Sequence, residues 1–263
     1  MPKLRNDRFN ARKSGFREPK ILHVIAMEGR ETEYAYFAAL GQRARENLTV
    51  KIELIYNHAD KSSPGEVLNQ IVSYRRRHGA LQSDRYWVVI DHDGRSNAML
   101  DEVCTNAAKI PHCMVALSNP CFELWLHFHL RVLPLPSFQD HHDCQNQLLT
   151  VFPGYTKTSY NVEKVLDAEL FNLARAVDNA ERTDIPGHTV EPWPRAQTSR
   201  LHLLARAVVN VPALPQQSAA MLRKEKERER AKKRADTAER KAQSEQSDIG
   251  TSTDNDFGED SVA

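Results

Sequence analysis

Two short apolar runs, Lys20 to Met27 and Tyr86-Trp87-Val88-Val89-Ile90, constrain this chain more than any other feature, because each stops abruptly at an acid. Both are rich in β-branched or aromatic residues and lack strict alternation. That pattern suits strands covered on both faces, as in a parallel sheet between helices. The first run closes on Glu28-Gly29 and the second on Asp91-His92-Asp93-Gly94. Carboxyl ends of such strands are where α/β folds place their chemistry.

The intervening sequence supplies the helices. Glu31-Thr32-Glu33 opens one with Phe37, Leu40 and Ala44 on a common face, and the first-turn acids suit its dipole. Glu28 precedes that helix, so the dipole does not account for it. Leu48 to Ile55 alternates as expected near a sheet edge. Ser63-Pro64-Gly65-Glu66 combines a capping box with proline at the first helical position, followed by Val67, Ile71 and Tyr74 and a stop at Arg75-Arg76-Arg77-His78-Gly79. A third helix begins near Asn97, with Leu100, Val103, Cys104, Ala107 and Ala108 inward, and His112 to Leu117 is a fourth strand. The order predicts a doubly wound, mainly parallel four-stranded α/β sheet with right-handed crossovers. The first and third strands should lie side by side, bringing the two acidic turns together.

After the fourth strand comes Ser118-Asn119-Pro120-Cys121-Phe122-Glu123-Leu124-Trp125-Leu126. Asn119 is a plausible helix cap and Pro120 a first helical residue. The helix is apolar on nearly every side except at Glu123, His127 and His129. A carboxylate in such company is costly to bury unless paired or bound to metal. Beyond Leu135 the strand pattern ends. The expected organisation is a basic arm over 1–19, an α/β domain over 20–135, a helical subdomain over 136–215, and a charged helix with an acidic disordered tail over 216–263. Helices are expected near Val162 to Leu166, Glu169 to Glu181 and Gln197 to Val209, while Asp140-His141-His142-Asp143 reads as a solvated loop. Tyr155, Lys157 and Lys164 would reach phosphate if the helical part folds over the rim.

Net charge is only +1, but it is unevenly placed. Residues 1–20 hold seven Lys or Arg against two acids, and residues 244–263 hold six acids and no base. The arm with Arg12, Lys13 and Arg17 is either a solvated tail or a strand of basic contacts along a phosphate backbone. No apolar run approaches the ~18 to 20 residues that span a bilayer, and no apolar secretory core is evident at the amino terminus, so a cytoplasmic protein without membrane contact is expected. Cys104, Cys113, Cys121 and Cys144 form no CxxC pair, which argues against a zinc ribbon or redox dithiol.

With Glu28, Asp91 and Asp93 at adjacent strand ends, three carboxylates share one rim. Hard oxygen donors at that density suit Mg²⁺ or Mn²⁺, which also accept phosphate oxygens. Asp91 and Asp93 point the same way if strand geometry continues between them, and Glu28 would hold a second metal or take a proton from the nucleophile. Glu123 is a candidate fourth ligand.

Glu28-Gly29 after the first strand and Asp91-x-Asp93 after the third resemble the Toprim domain of topoisomerases, primases and OLD-type nucleases. Glu28-Gly29-Arg30-Glu31-Thr32-Glu33, the Ser118 to Trp125 run and the lead-in Arg12-Lys13 to Lys20 resemble the RloB family in particular, over about residues 8–210. His92 departs from the arginine common between these aspartates and reads as a spacer. The resemblance implies a Toprim-like metal-dependent nuclease of antiphage defence, acting on DNA or RNA, tRNA included, beside an ATPase partner. Hydrolysis by water is expected, since the catalytic tyrosine domain of Toprim topoisomerases has no counterpart here. Two alternatives stand: a non-catalytic subunit that binds nucleic acid or a partner, and a phosphotransferase with Asp91 as nucleophile. The sequence leaves oligomeric state open.

Overall fold

The structure, a computed structural model, describes residues 21–44, 50–56, 63–153, 155–156, 172–184, 191–209 and 211. The expected basic arm with Arg12, Lys13 and Arg17, the residues Lys157 and Lys164, the helix at 162–166 and the charged tail lie outside them.

Strand β1 (Ile21–Met27), helix α1 (Thr32–Ala44), β2 (Val50–Tyr56), α2 (Pro64–His78), β3 (Arg85–Asp91), α3 (Asn97–Ala108) and β4 (Cys113–Asn119) alternate as the hydrophobic pattern predicts. The sheet order is β2-β1-β3-β4-β5, with β1 lying between β2 and β3 and parallel to both. Parallel strands need crossovers, which the intervening helices provide. The sequence reading undercounts the sheet, which has five strands. Thr198–Ser199, expected inside a helix, forms β5, antiparallel to β4 through Ser118↔Ser199 and Asn119↔Thr198. Two residues carry too little periodicity to be read as a strand, and they exist because the end of β4 offers them an edge.

Side-chain parity along the strands builds two cores. Leu22, Val24 and Ala26 of β1 join Tyr86, Val88 and Ile90 of β3 on the face covered by α2 and α3. Ile25, Met27, Trp87 and Val89 face the other way, against α1 and the helices after β4. A parallel sheet buried on both faces therefore explains the continuous apolar runs. Capping is as expected at α2: Ser63 Oγ accepts from the Glu66 amide at 3.3 Å and the Ser63 amide donates to Glu66 Oε2 at 2.6 Å, with Pro64 opening the helix.

Helix α4 (Phe122–Leu130) is buried at every position from Phe122 to His129 and stands at the centre of the larger core. Its start differs from expectation. Asn119 ends β4, the Asn119–Pro120 peptide is cis, and Cys121 takes the N-cap position. Helices α5 (His141–Val151), α6 (Leu173–Thr183) and α7 (Leu201–Val208) contribute Cys144, Leu148, Ala176, Val177, Leu201 and Leu204 to that same core. The expected solvated loop at Asp140 to Asp143 is instead the capped start of α5, where Asp140 Oδ1 accepts from the Asp143 amide at 2.8 Å. Asp is a strong N-cap, and the apolar side chains of this helix lie beyond the polar cluster that opens it. Residues 1–213 form one compact unit and 214–263 a second.

Candidate acidic site

The register pairs Met27 of β1 with Val89 of β3, so Glu28 leaves the sheet one step before the level of Asp91. Adjacency of the first and third strands, inferred from the acids, is thus what the sheet provides. Asp91 is the last residue of β3 and pairs with Ser118 of β4. Strand geometry stops there: Asp93 has φ 42° and Gly94 φ 68°, and the His92 and Asp93 amides donate to the carbonyls of Ser118 and Pro120, each at 2.9 Å. The expected common direction of Asp91 and Asp93 therefore does not hold. The turn sends Asp93 outward, where its Oδ1 lies 2.8 Å from His141 Nδ1, while Asp91 stays inward and accepts the Phe122 amide at the start of α4.

Glu123 is buried and receives the Tyr155 hydroxyl on Oε1 at 3.2 Å. Tyr155 is consequently a buried partner of an acid rather than a hand for phosphate. Glu33 completes the set. Its carboxylate lies beside Gly29, where a Cβ would meet it and turn the flexible Glu33 side chain aside.

Electrostatics tie these groups together. Desolvation pushes Glu28 from 4.5 to about 8; Arg95 opposes the shift, and the charges of Glu33 and Asp93 add to it. Asp91 is held well above the usual carboxylate range by desolvation and then by Glu33, Glu123 and Glu28, against the Phe122 amide. Mutual repulsion among acids in a poorly solvated cleft raises the cost of ionising each one. Arg95 is the cation set among them: its Nη2 donates to Glu28 Oε2 at 2.7 Å and its Nη1 to the Asp91 carbonyl at 2.9 Å. Glu28 Oε1 is buried and has no hydrogen-bond partner among the described residues.

Sequence reasoning singled out Glu28, Asp91, Asp93 and Glu123 but treated Glu33 as a helix-dipole partner. Arg95 carries no motif, and His141 sits in the Asp140 to Asp143 cluster that the sequence reads as a solvated loop. The His92 ring packs against Trp193 at a tilt of 41°, centroids 5.4 Å apart, and Trp193 is fixed by an Nε1 bond to Asp101 Oδ1 at 2.7 Å and by the Arg195 guanidinium 3.9 Å from its ring. His92 therefore packs as well as spaces the aspartates.

Carboxylate oxygens are the donors that Mg²⁺ or Mn²⁺ takes. Glu28, Glu33 and Asp91 lie on the inner side of this rim and Asp93 on its outer side. In the arrangement shown, no three His, Cys, Asp or Glu side chains among the described residues already form a metal-ligand group. The excess of acids, the shifted Glu28 and Asp91 and the unpartnered Glu28 oxygen nonetheless fit a divalent cation once Arg95 gives way. No helix among the described residues is long and apolar enough to cross a membrane.

A doubly wound α/β domain with a carboxylate cluster at the carboxyl ends of neighbouring parallel strands is the class this fold and rim define. The comparison with protein families places the chain within it more narrowly: the RloB-like protein family matches residues 23–208, and the chain belongs to that family. No curated protein and no solved structure matches it.

Proposed function

We infer that this protein is a Mg²⁺- or Mn²⁺-dependent nuclease that hydrolyses phosphodiester bonds of DNA or RNA, tRNA included. The observation that carries this reading is the convergence of Glu28, Glu33, Asp91 and Glu123, with Asp93 at the outer edge, on one rim where Glu28 and Asp91 are costly to ionise without a cation. A divalent cation there would offer Lewis-acid charge to a phosphodiester and a lowered pKa to water. The chain's own part is to hold and orient. Glu28 and Asp91 would be the inner ligands, Asp93 the outer one, and Glu123, bonded to Tyr155, a further acid behind Asp91.

The helix starts favour a phosphate at the same place. Helices α1 and α3 begin just after the two acidic turns, and helix amide ends attract anions. Membership of the RloB-like family supports a setting in antiphage defence beside an ATPase partner.

Conversion of Glu28→Gln or Asp91→Asn is expected to lower metal-dependent cleavage of labelled DNA and RNA pools by about a hundredfold or more, in line with removal of a group that stabilises the transition state. Full activity in both variants would sink the proposal. A second reading, a non-catalytic subunit that binds nucleic acid or a partner, draws support from the Arg95–Glu28 pair, which neutralises the key acid without metal. Calorimetric titration separates the two, because absence of Mn²⁺ binding near neutral pH favours the second.

A further inference from the structure

Both arms of the Arg95 guanidinium are engaged at the acidic rim. Nη2 donates to Glu28 Oε2 at 2.7 Å, and Nη1 donates to the Asp91 carbonyl at 2.9 Å and lies 4.0 Å from Asp93 Oδ2. The backbone places it there. With Asp93 and Gly94 at positive φ, the Arg95 amide reaches back to the His92 carbonyl at 2.8 Å, folding residue 95 over the end of β3 before Ser96 caps α3.

The guanidinium thus fills the gap between Glu28 and Asp93 that a divalent cation bound to both would occupy. It is also a weak substitute for one. Arginine carries a single delocalised charge, always present, and faces five carboxyl groups, Glu28, Glu33, Asp91, Asp93 and Glu123. Its side chain is 19% exposed, so one side faces solvent and the long stem can turn outward without opening the core. Glu28 Oε1, buried and unpartnered among the described residues, remains for another positive group.

We propose that Arg95 is a resident counter-ion which a divalent cation displaces from Glu28, and that the released guanidinium then grips a phosphate of the incoming nucleic acid. This deepens the nuclease reading and rests on it. Two positive groups competing for Glu28 and the Asp91–Asp93 turn impose an order, metal first and phosphate second. The planar fork that pairs with a carboxylate also matches two oxygens of a phosphate. Because residue 95 is anchored beside the acids, the guanidinium stays within reach of a phosphate bound there. Arg95 is on this account a substrate-binding residue.

The test uses the full chain and the variants Arg95→Ala and Arg95→Lys, each first melted to establish cooperative folding. Calorimetric titration with MnCl₂ should show Arg95→Ala binding the metal about tenfold more tightly than the wild type, with Arg95→Lys between them, because a competing charge-assisted pair has been removed. With Ca²⁺ present, Arg95→Ala should bind labelled oligo(dT) and oligo(U) about tenfold more weakly than the wild type. Mn²⁺ affinity of Arg95→Ala equal to or below that of the wild type overturns displacement, and unchanged oligonucleotide affinity overturns the phosphate role. If Arg95→Ala does not fold, Arg95→Gln carries the same two comparisons. Wild-type protein that binds no Mn²⁺ defeats the metal-nuclease reading and this inference together, whereas wild-type binding with no gain on removing Arg95 defeats this inference alone.

Discussion

At the scale of single residues, Glu28 controls how the fold responds to pH. Burial raises its pKa from 4.5 to about 8, and Asp91 shifts in the same direction. Between these two values the folded protein keeps a proton on Glu28 that the unfolded chain has released. Stability contributed this way is fully present below about 4.5 and is lost as pH rises through about 8. In EDTA the protein is therefore expected to melt on the order of 5 to 10 °C lower at pH 8.5 than at pH 5.5, and Glu28→Gln should flatten that slope. Saturating Mg²⁺ should restore the loss at high pH, since binding to the folded state alone stabilises it. A melting temperature that climbs with pH in EDTA would contradict the assigned shifts. Residue types announced some of this site in the sequence: acids placed straight after apolar strands have few structural duties, so Glu28, Asp91 and Asp93 stood out. Glu33 was masked by a valid local explanation, the helix dipole. Arg95 and His141 were invisible because their roles come from a turn at positive φ and from α5 packing across the rim, neither of which has a sequence period.

At the scale of elements, α4 links the core to the site. Its first amide donates to Asp91, its second residue is Glu123, and its far end is held by Asn179 of α6, whose Nδ2 donates to the carbonyls of Phe128 at 2.9 Å and Arg131 at 2.8 Å. Those carbonyls belong to a helix end that cannot satisfy them internally. Asn179 is 3% exposed, so its removal leaves buried acceptors unpaired. Asn179→Leu should destabilise the protein by about 2 to 3 kcal/mol in denaturant titration. It should also weaken Mn²⁺ binding several-fold, because a loosened α4 no longer fixes the Phe122 amide on Asp91. A change within ~0.5 kcal/mol would show that water replaces the amide. The apolar character of α4 was legible from its composition, but its end caps were not. Cys121 caps without a side-chain cap bond, and Asn179 acts from 48 and 51 residues away, so neither leaves a local pattern.

At the scale of the whole molecule, topology was more legible than boundaries. Four strands separated by three helices admit few right-handed arrangements, and two acidic turns that must meet select the one with β1 beside β3. The chain beyond β4 had no such constraint: α5, α6 and α7 pack onto the sheet's own core, and β5 is two residues long. This sharing of one core sets where the chain can be shortened. Among the described residues, every member of the two hydrophobic clusters, including the partly buried residues packed on them, lies between Leu22 and Val211. Residues 214–263 form a separate compact unit and lie beyond the family match, which ends at residue 208. Ending the chain after Ala213 removes no described residue of either cluster, and the acids, Arg95 and His141 all remain. That shortened protein should melt within ~2 °C of the full chain and bind Mn²⁺ with the same affinity, as expected for a unit with its own core. Loss of cooperative melting, or of metal binding at unchanged melting temperature, would show that residues beyond Ala213 complete the core or the acidic site.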